Sequence, residues 1–140
     1  MKNIYSKRQE DKLLHIILRK EDVDKVESRK DIIPEENFLQ LGIMRMPGGK
    51  KFKAHKHIFK KGSPERIAQE SWFVIRGKVK VILYDLDDQI LEEVILKEGD
   101  LSVTLEGGHN YEILEDDTLV YEYKTGPYEG QKLDKEFIDD

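Results

Sequence analysis

Gly49-Lys50-Lys51-Phe52-Lys53-Ala54-His55-Lys56-His57 opens the stretch on which the fold of this chain turns. It continues through Gln69-Glu70-Ser71-Trp72-Phe73-Val74-Ile75-Arg76-Gly77 and closes with Gly99-Asp100 and Gly107-Gly108-His109. His55 and His57 are two residues apart. Side chains along a strand alternate between its faces, so residues i and i+2 share one, and both imidazoles are expected to point the same way. A carboxylate on a later strand and a third histidine would complete a metal site of mixed nitrogen and oxygen donors. Three of the four histidines fall in this stretch. The fourth, His15, sits in an apolar run with no partner at ligand spacing.

Working outward, residues 38–46 alternate and read as a strand, with Pro47-Gly48-Gly49 as a turn. Residues 52–59 read as the histidine-bearing strand and residues 60–65 as a loop. Further strands are expected at 69–75, 78–84, 91–96, 101–105, 109–114 and 118–124. The breaks between them are Gly77, Asp85-Leu86-Asp87-Asp88, Glu98-Gly99-Asp100, Gly107-Gly108 and Glu115-Asp116-Asp117. Short strands at this spacing, with no alternating helical pattern, argue for an antiparallel sandwich or barrel and against a parallel α/β sheet. Before residue 38 the chain is charge-rich. Residues 1–12 read as a loose arm, Leu13-Leu14-His15-Ile16-Ile17-Leu18 as a first strand, and residues 22–29 as a helical turn or two.

The 140 residues suit one domain, and 38% hydrophobic with 38% charged residues suits a globular protein with a heavily charged surface. Cysteine is absent, which excludes disulfides and thiolate metal ligation and leaves His, carboxylate and water as donors. The net charge of −5 hides an asymmetry: residues 1–70 carry 17 Lys and Arg against 11 Asp and Glu, whereas residues 71–140 carry 7 against 18. A nucleic-acid-binding domain is usually basic overall, so no nucleic-acid partner is expected. Lys2, Lys7 and Arg8 are followed by no sustained apolar run, and residues 13–18 are far too few to span a bilayer. No membrane partner is expected, and the cytoplasm is the expected location.

Gly49, His55, His57, Glu70 and Gly77 match the pattern G-x5-H-x-H-x3-4-E-x6-G, the first motif of the cupin family, except that twelve residues separate His57 from Glu70 where three or four are usual. Gly99, Gly107 and His109 match the second motif, G-x5-P-x-G-x2-H-x3-N, with Leu105 at the proline position and the histidine one residue early. The chain therefore resembles the cupins over roughly residues 38–128. The run Tyr121-Glu122-Tyr123-Lys124-Thr125-Gly126-Pro127-Tyr128 resembles small metal-binding cupins that accompany bacterial cell-surface sugar biosynthesis. The resemblance implies an all-β fold, a double-stranded β-helix or jelly-roll barrel of antiparallel strands with little helix. It divides the chain into an N-terminal arm and first strand packing on the barrel (1–37), the barrel (38–128) and a C-terminal tail (129–140). Cupins of this size often pair, so a homodimer is expected, with the tail lying across a neighbour.

The expected cofactor is one divalent transition metal per chain, Fe, Mn, Ni or Zn, held by His55, His57, Glu70 and His109. Gln69 competes with Glu70, because a one-residue shift in strand register exchanges the two faces. Tyr111, two after His109, and Glu122, between Tyr121 and Tyr123, are candidate catalytic residues; Glu122 is also a candidate partner for Lys124. Trp72 reads as core or as a stacking wall for a ring. From Arg45 to Lys61 the chain carries seven cations and no acid. Alternation places Phe52, Ala54 and Lys56 away from the metal and Lys53 with the histidines, so the lysines of this run read either as a solvated outer face or, for Lys50, Lys51 and Lys53, as a rim of the barrel mouth that draws in an anion. Two functions follow: a metalloenzyme acting on a small polar, anionic sugar-like substrate, or a non-catalytic metal- or sugar-binding module with a regulatory role. The fold does not decide between them.

Overall fold

In Glu70-Ser71-Trp72-Phe73-Val74, alternate side chains are buried and half-buried, which is the burial pattern of a strand with one face against a core. The same period recurs along the chain and sets the architecture. The computed structural model describes residues 1–9, 11–60 and 66–138. Most of the loop expected at 60–65 lies outside the described residues. The strands are β1 (Lys2–Tyr5), β2 (Leu13–Ile17), β3 (Arg29–Asp31), β4 (Leu39–Met46), β5 (His55–His57), β6 (Phe59–Lys60), β7 (Arg66–Ile67), β8 (Glu70–Arg76), β9 (Lys78–Tyr84), β10 (Ile90–Lys97), β11 (Leu101–Thr104), β12 (Gly108–Ile113), β13 (Thr118–Thr125) and β14 (Lys135–Phe137). Helix among the described residues is limited to α1 (Lys20–Val23) and α2 (Gln131–Asp134).

Two five-stranded antiparallel sheets face each other, in the orders β10-β9-β12-β5-β14 and β11-β8-β13-β4-β3. Between them lies a cluster drawn from both: Met44, Met46, Trp72, Val74 and Val120 from one sheet, and Val79, Val81, Leu96, Tyr111 and Ile113 from the other. This is the jelly-roll arrangement. The strand connections depend on backbone that side chains resist. Gly77, between β8 and β9, has φ +88°, and a Cβ there would lie 2.9 Å from the Thr118 backbone. Gly107, before β12, has φ +84°, and a Cβ there would lie 2.6 Å from the Tyr84 carbonyl oxygen.

The interior is graded along its length. On β13, Val120 joins the apolar cluster while Glu122 and Lys124 line a cavity; on β8, Val74 gives way to Trp72 and then Glu70. On β4, Met44 and Met46 give way to Gly42 and Gln40. Period-two alternation thus builds one apolar end, which supplies the burial that holds the sheets together, and one polar end, which holds the candidate site.

The two termini differ from the sequence expectation. Residues 2–5 are a strand rather than a loose arm, pairing with β2 in the register Lys2↔Ile17 and Asn3↔Ile16. A strand with no partner leaves its amides unsatisfied, and β1 supplies that partner. From this segment Val23, Val26 and Ile32 bury against Ile43 and Leu119 on the outer face of the β4–β13 pair. The helical turn begins two residues earlier than expected, with the Asp22 carboxylate accepting the Arg19 amide at 3.0 Å. At the other end, the tail set apart beyond residue 128 returns to its own sheet. β14 pairs with β5, with Lys135 opposite His57 and Phe137 opposite His55. The tail is therefore part of the fold.

The histidine strand is shorter than expected. Only residues 55–57 are extended and paired as β5, and residues 52–54 are irregular. Strand alternation stops at its edge, so two orientations differ from the expectation. Phe52 turns inward, its ring edge-on to Trp72 at 5.3 Å. Lys53 is exposed, its ammonium 5.4 Å from the centre of the Phe137 ring.

Candidate metal centre

The register of three strands assembles the site. His55 and His57 share one face of β5, and His109 on β12 stands directly opposite His55. Glu70, the first residue of β8, reaches in from the facing sheet. All four are buried, His109 completely. The His55 and His109 ring centres are 4.5 Å apart, and His57 lies 5.5 Å from His55 and 5.6 Å from His109. One donor atom from each of the four lies within 4.8 Å of every other.

Each imidazole is tied down through Nδ1. His55 Nδ1 is 3.0 Å from the Lys53 carbonyl, His57 Nδ1 is 3.2 Å from both the Asp134 carbonyl and its carboxylate, and His109 Nδ1 is 3.0 Å from the Thr104 hydroxyl. The Nε2 atoms are left for the centre. His57 Nε2 lies 3.2 Å from Glu70 Oε2. His109 Nε2 lies 3.4 Å from Glu70 Oε1 and makes no well-formed hydrogen bond despite complete burial. An orphaned imidazole nitrogen, turned toward a carboxylate and two other imidazoles, fits a metal ligand. So does the arrangement of outer hydrogen bonds, because a ligating histidine ordinarily donates its second N–H to a carbonyl, carboxylate or other acceptor. Trp72 Nε1 donates to Glu70 Oε1 at 3.1 Å and fixes the carboxylate from behind.

Charge is distributed unevenly over these groups. Burial, then the neighbouring His109 and Lys135, push His55 down to about 4. Burial would push His57 down as well, but its bonds to Asp134 and Glu70 and their charges lift it to about 8. Burial alone would raise Glu70, yet its close contacts with His109 and His57 hold it well below the usual carboxylate range. Glu70 is thus an anion in a buried cluster of imidazoles, a charge arrangement that a divalent cation would complete.

Gln69, the rival of Glu70, lies exposed outside this cluster, its amide donating to the Thr125 hydroxyl at 2.9 Å. Tyr111 is buried one turn of the pleat from His109, stacked on Trp72 with ring centres 3.8 Å apart and planes 5° from parallel. Its hydroxyl is 3.2 Å from the Ser102 hydroxyl, and burial, then the charge of Glu70, push its pKa up. Trp72 is both core and cavity wall. Glu122 points inward, but its partner is Arg29 at 2.8 Å rather than Lys124. Gly42 on the intervening strand leaves room for this contact: a Cβ there would lie 3.1 Å from the Arg29 guanidinium, which crosses from β3 to β13.

A cavity of about 310 Å³ reaches the cluster at His55 and Glu70 and is bounded also by Phe52, Trp72, Glu122 and Lys135, among others. The basic run does not wall it as expected. Lys51 pairs with Glu112, Lys56 with Asp88 and Glu136, and Lys60 with Asp134, while Lys50 lies over the Phe52 ring. The charged residues at the site that sequence reasoning passed over are Asp134 and Lys135. Asp134 is completely buried and gathers His57, Lys60 and Lys124, and those bonds hold its carboxyl well below the usual range against burial.

Solved structures share this architecture. CapF, a capsular polysaccharide assembling protein from Staphylococcus aureus, matches with a TM-score of 0.65 at 16% identity, over 80% of this chain and 32% of its own. KdgF from Halomonas sp. matches with a TM-score of 0.55 at 21% identity, over 69% of this chain and 77% of its own. A variant of oxalate decarboxylase from B. subtilis matches with a TM-score of 0.57 at 17% identity, over 81% of this chain and 29% of its own. All three are cupin-type proteins.

The chain has the cupin fold.

It spans about a third of the length of CapF and less of oxalate decarboxylase. No protein-family model matches the sequence, and no curated protein sequence matches it. Four residues anticipated from the cupin motifs, His55, His57, Glu70 and His109, are the ones this fold brings together as a potential metal site. Among the described residues, no helix is long and apolar enough to cross a membrane.

Proposed function

We propose that this chain is a metal-dependent cupin acting on a small, polar, anionic sugar-like molecule. One divalent transition metal would be held by His55, His57, Glu70 and His109. The observation that carries this reading is the convergence of four buried donors, three of them imidazoles fixed through Nδ1, with two of the four, His55 and Glu70, lining a 310 Å³ cavity. Three nitrogens and a carboxylate suit Fe(II), Mn(II), Ni(II) or Zn(II). A bound metal would supply Lewis acidity toward an oxygen of the ligand.

The chain's own residues would bind and orient that ligand. Arg29 holds the Glu122 carboxylate at the cavity wall, where a sugar hydroxyl can donate to it. The buried Tyr111, its pKa raised, stays a neutral phenol whose hydroxyl can donate a hydrogen bond but not readily a proton. Phe52 and Tyr128 offer apolar surface to a ring face. CapF is a capsular polysaccharide assembling protein, and the likeness to it supports a sugar-like ligand class.

Thermal-shift screening of metal-loaded protein against acidic and neutral sugars tests the reading. Ligand at ~100 times its Kd should stabilise the fold by about 2.7 kcal/mol, and the shift should vanish in His109→Ala. A protein that carries full metal yet responds to no sugar would overturn it.

A further inference from the structure

We propose that Lys135, on the C-terminal strand, is the anchor for a carboxylate of the ligand, placed between the metal centre and the cavity. The proposal rests on the metal reading above. Among the described residues three cations line the cavity, and two are already committed. Arg29 is bound to Asp31 and Glu122, each at 2.8 Å, and Lys124 is bound to Asp134 at 3.0 Å with its ammonium over the Tyr128 ring. Lys135 is different. Among the described residues no carboxylate is within ion-pair distance of it, and its hydrogen-bonding contact is with His55 Nε2 at 3.3 Å. The β14–β5 register puts it there, because Lys135 sits opposite His57 and one strand over from His55.

That contact cannot coexist with metal ligation. The single lone pair on His55 Nε2 serves either the ammonium N–H or a metal. With the metal in place, Lys135 would lose its acceptor and stand beside a second cation in a partly buried site, where like charges repel strongly. One chemical group would resolve both problems: an anion, which would accept a charge-assisted hydrogen bond from Lys135. A carboxylate carried by a polyhydroxylated ring fits the remaining walls. Glu122 can accept a hydroxyl, Gln40 can accept one through Oε1 while its Nε2 donates to backbone carbonyls, and Phe52 is apolar. Glu35 at the outer wall, without an ion-pair partner among the described residues, disfavours a second anionic group there. The ligand class is therefore a monocarboxylate sugar, with its acid group inward at Lys135. The exposed Lys53 has no part in its recognition.

Isothermal titration calorimetry on the metal-loaded full chain, with D-galacturonate and D-galactose as probes, tests this. Wild-type protein should bind galacturonate at least about tenfold tighter than galactose. Lys135→Met should abolish that preference while keeping galactose affinity and metal content, whereas Lys53→Met should change nothing. Lys135→Gln, neutral but polar, repeats the measurement if the methionine variant does not fold. Undetectable galacturonate binding, equal affinity for the two sugars, or a preference that survives both Lys135 variants would overturn the proposal. Metal analysis of the same samples separates the two readings. Metal present without a carboxylate preference sinks the Lys135 anchor alone, whereas protein that takes up no metal sinks the metal reading and the anchor with it.

Discussion

Replacing Asp134 by Asn tests how far the C-terminal segment builds this site. The Asp134 side chain is completely buried and lies 3.0 Å from Lys60, 3.0 Å from Lys124 and 3.2 Å from His57 Nδ1. The substitution keeps the shape and removes the charge, leaving two ammonium groups and a raised imidazole without their counter-ion. Breaking a fully buried ion pair costs ~3–5 kcal/mol. The lysine side chains keep 12–13% of their exposure, so partial hydration reduces the expected loss to about 2–4 kcal/mol. For a domain of this size that is a fall in Tm of roughly 6–12 °C. Because the carboxylate also orients His57, metal affinity should fall about 10- to 100-fold. Calorimetric melts of the metal-free protein and a chelator competition on the loaded protein read the two effects separately. Asp88→Asn is the control: Asp88 pairs with Lys56 at a more exposed position, and its loss should cost about 1 kcal/mol or less. If Asp134→Asn melted within a degree or so of wild type and kept its metal affinity, the buried network would have no energetic weight and the reasoning would fail.

His57 gives a pH dependence. Its pKa is lifted to about 8 from an ordinary 6.5, so below pH 8 a metal must displace a proton from it, while His55, pushed down to about 4, is already neutral. Metal affinity should therefore rise by about tenfold per pH unit from pH 6.5 to 8 and then level off, and a flat profile across that window in chelator competition would contradict the assignment. Glu70→Gln should lose most of the bound metal by elemental analysis, whereas Gln69→Ala should keep it. The reverse result would return the fourth ligand to Gln69.

Much of this was legible in the sequence because one face of each central strand is buried. The alternation in residues 69–75 and 118–124 marks strands wherever it occurs, and inward positions change from Val120 to Glu122 and Lys124 within one strand. The choice between Glu70 and Gln69 was not legible, because it depends on a one-residue register that only pairing with β11 and β13 sets. The site's use of the tail was hidden for a different reason. Strand β14 is three residues long and its residues are Lys135, Glu136 and Phe137, a composition that reads as solvated chain. Its place is fixed by hydrogen bonds to β5 and by Ile138 packing on Ala54 and Tyr84. Phe52 and Lys53 exchanged their expected roles because alternation was extended past the strand that generates it. The reach of Arg29 across Gly42 is a three-strand contact, with no local signal in the sequence.

X-ray absorption spectroscopy at the edge of whatever metal co-purifies tests the central claim most directly. The account predicts a first shell that includes three imidazole nitrogens and a carboxylate oxygen at about 2.0–2.2 Å, with the outer-shell scattering characteristic of histidine rings. A first shell of oxygen donors alone, without the imidazole signature, would contradict it.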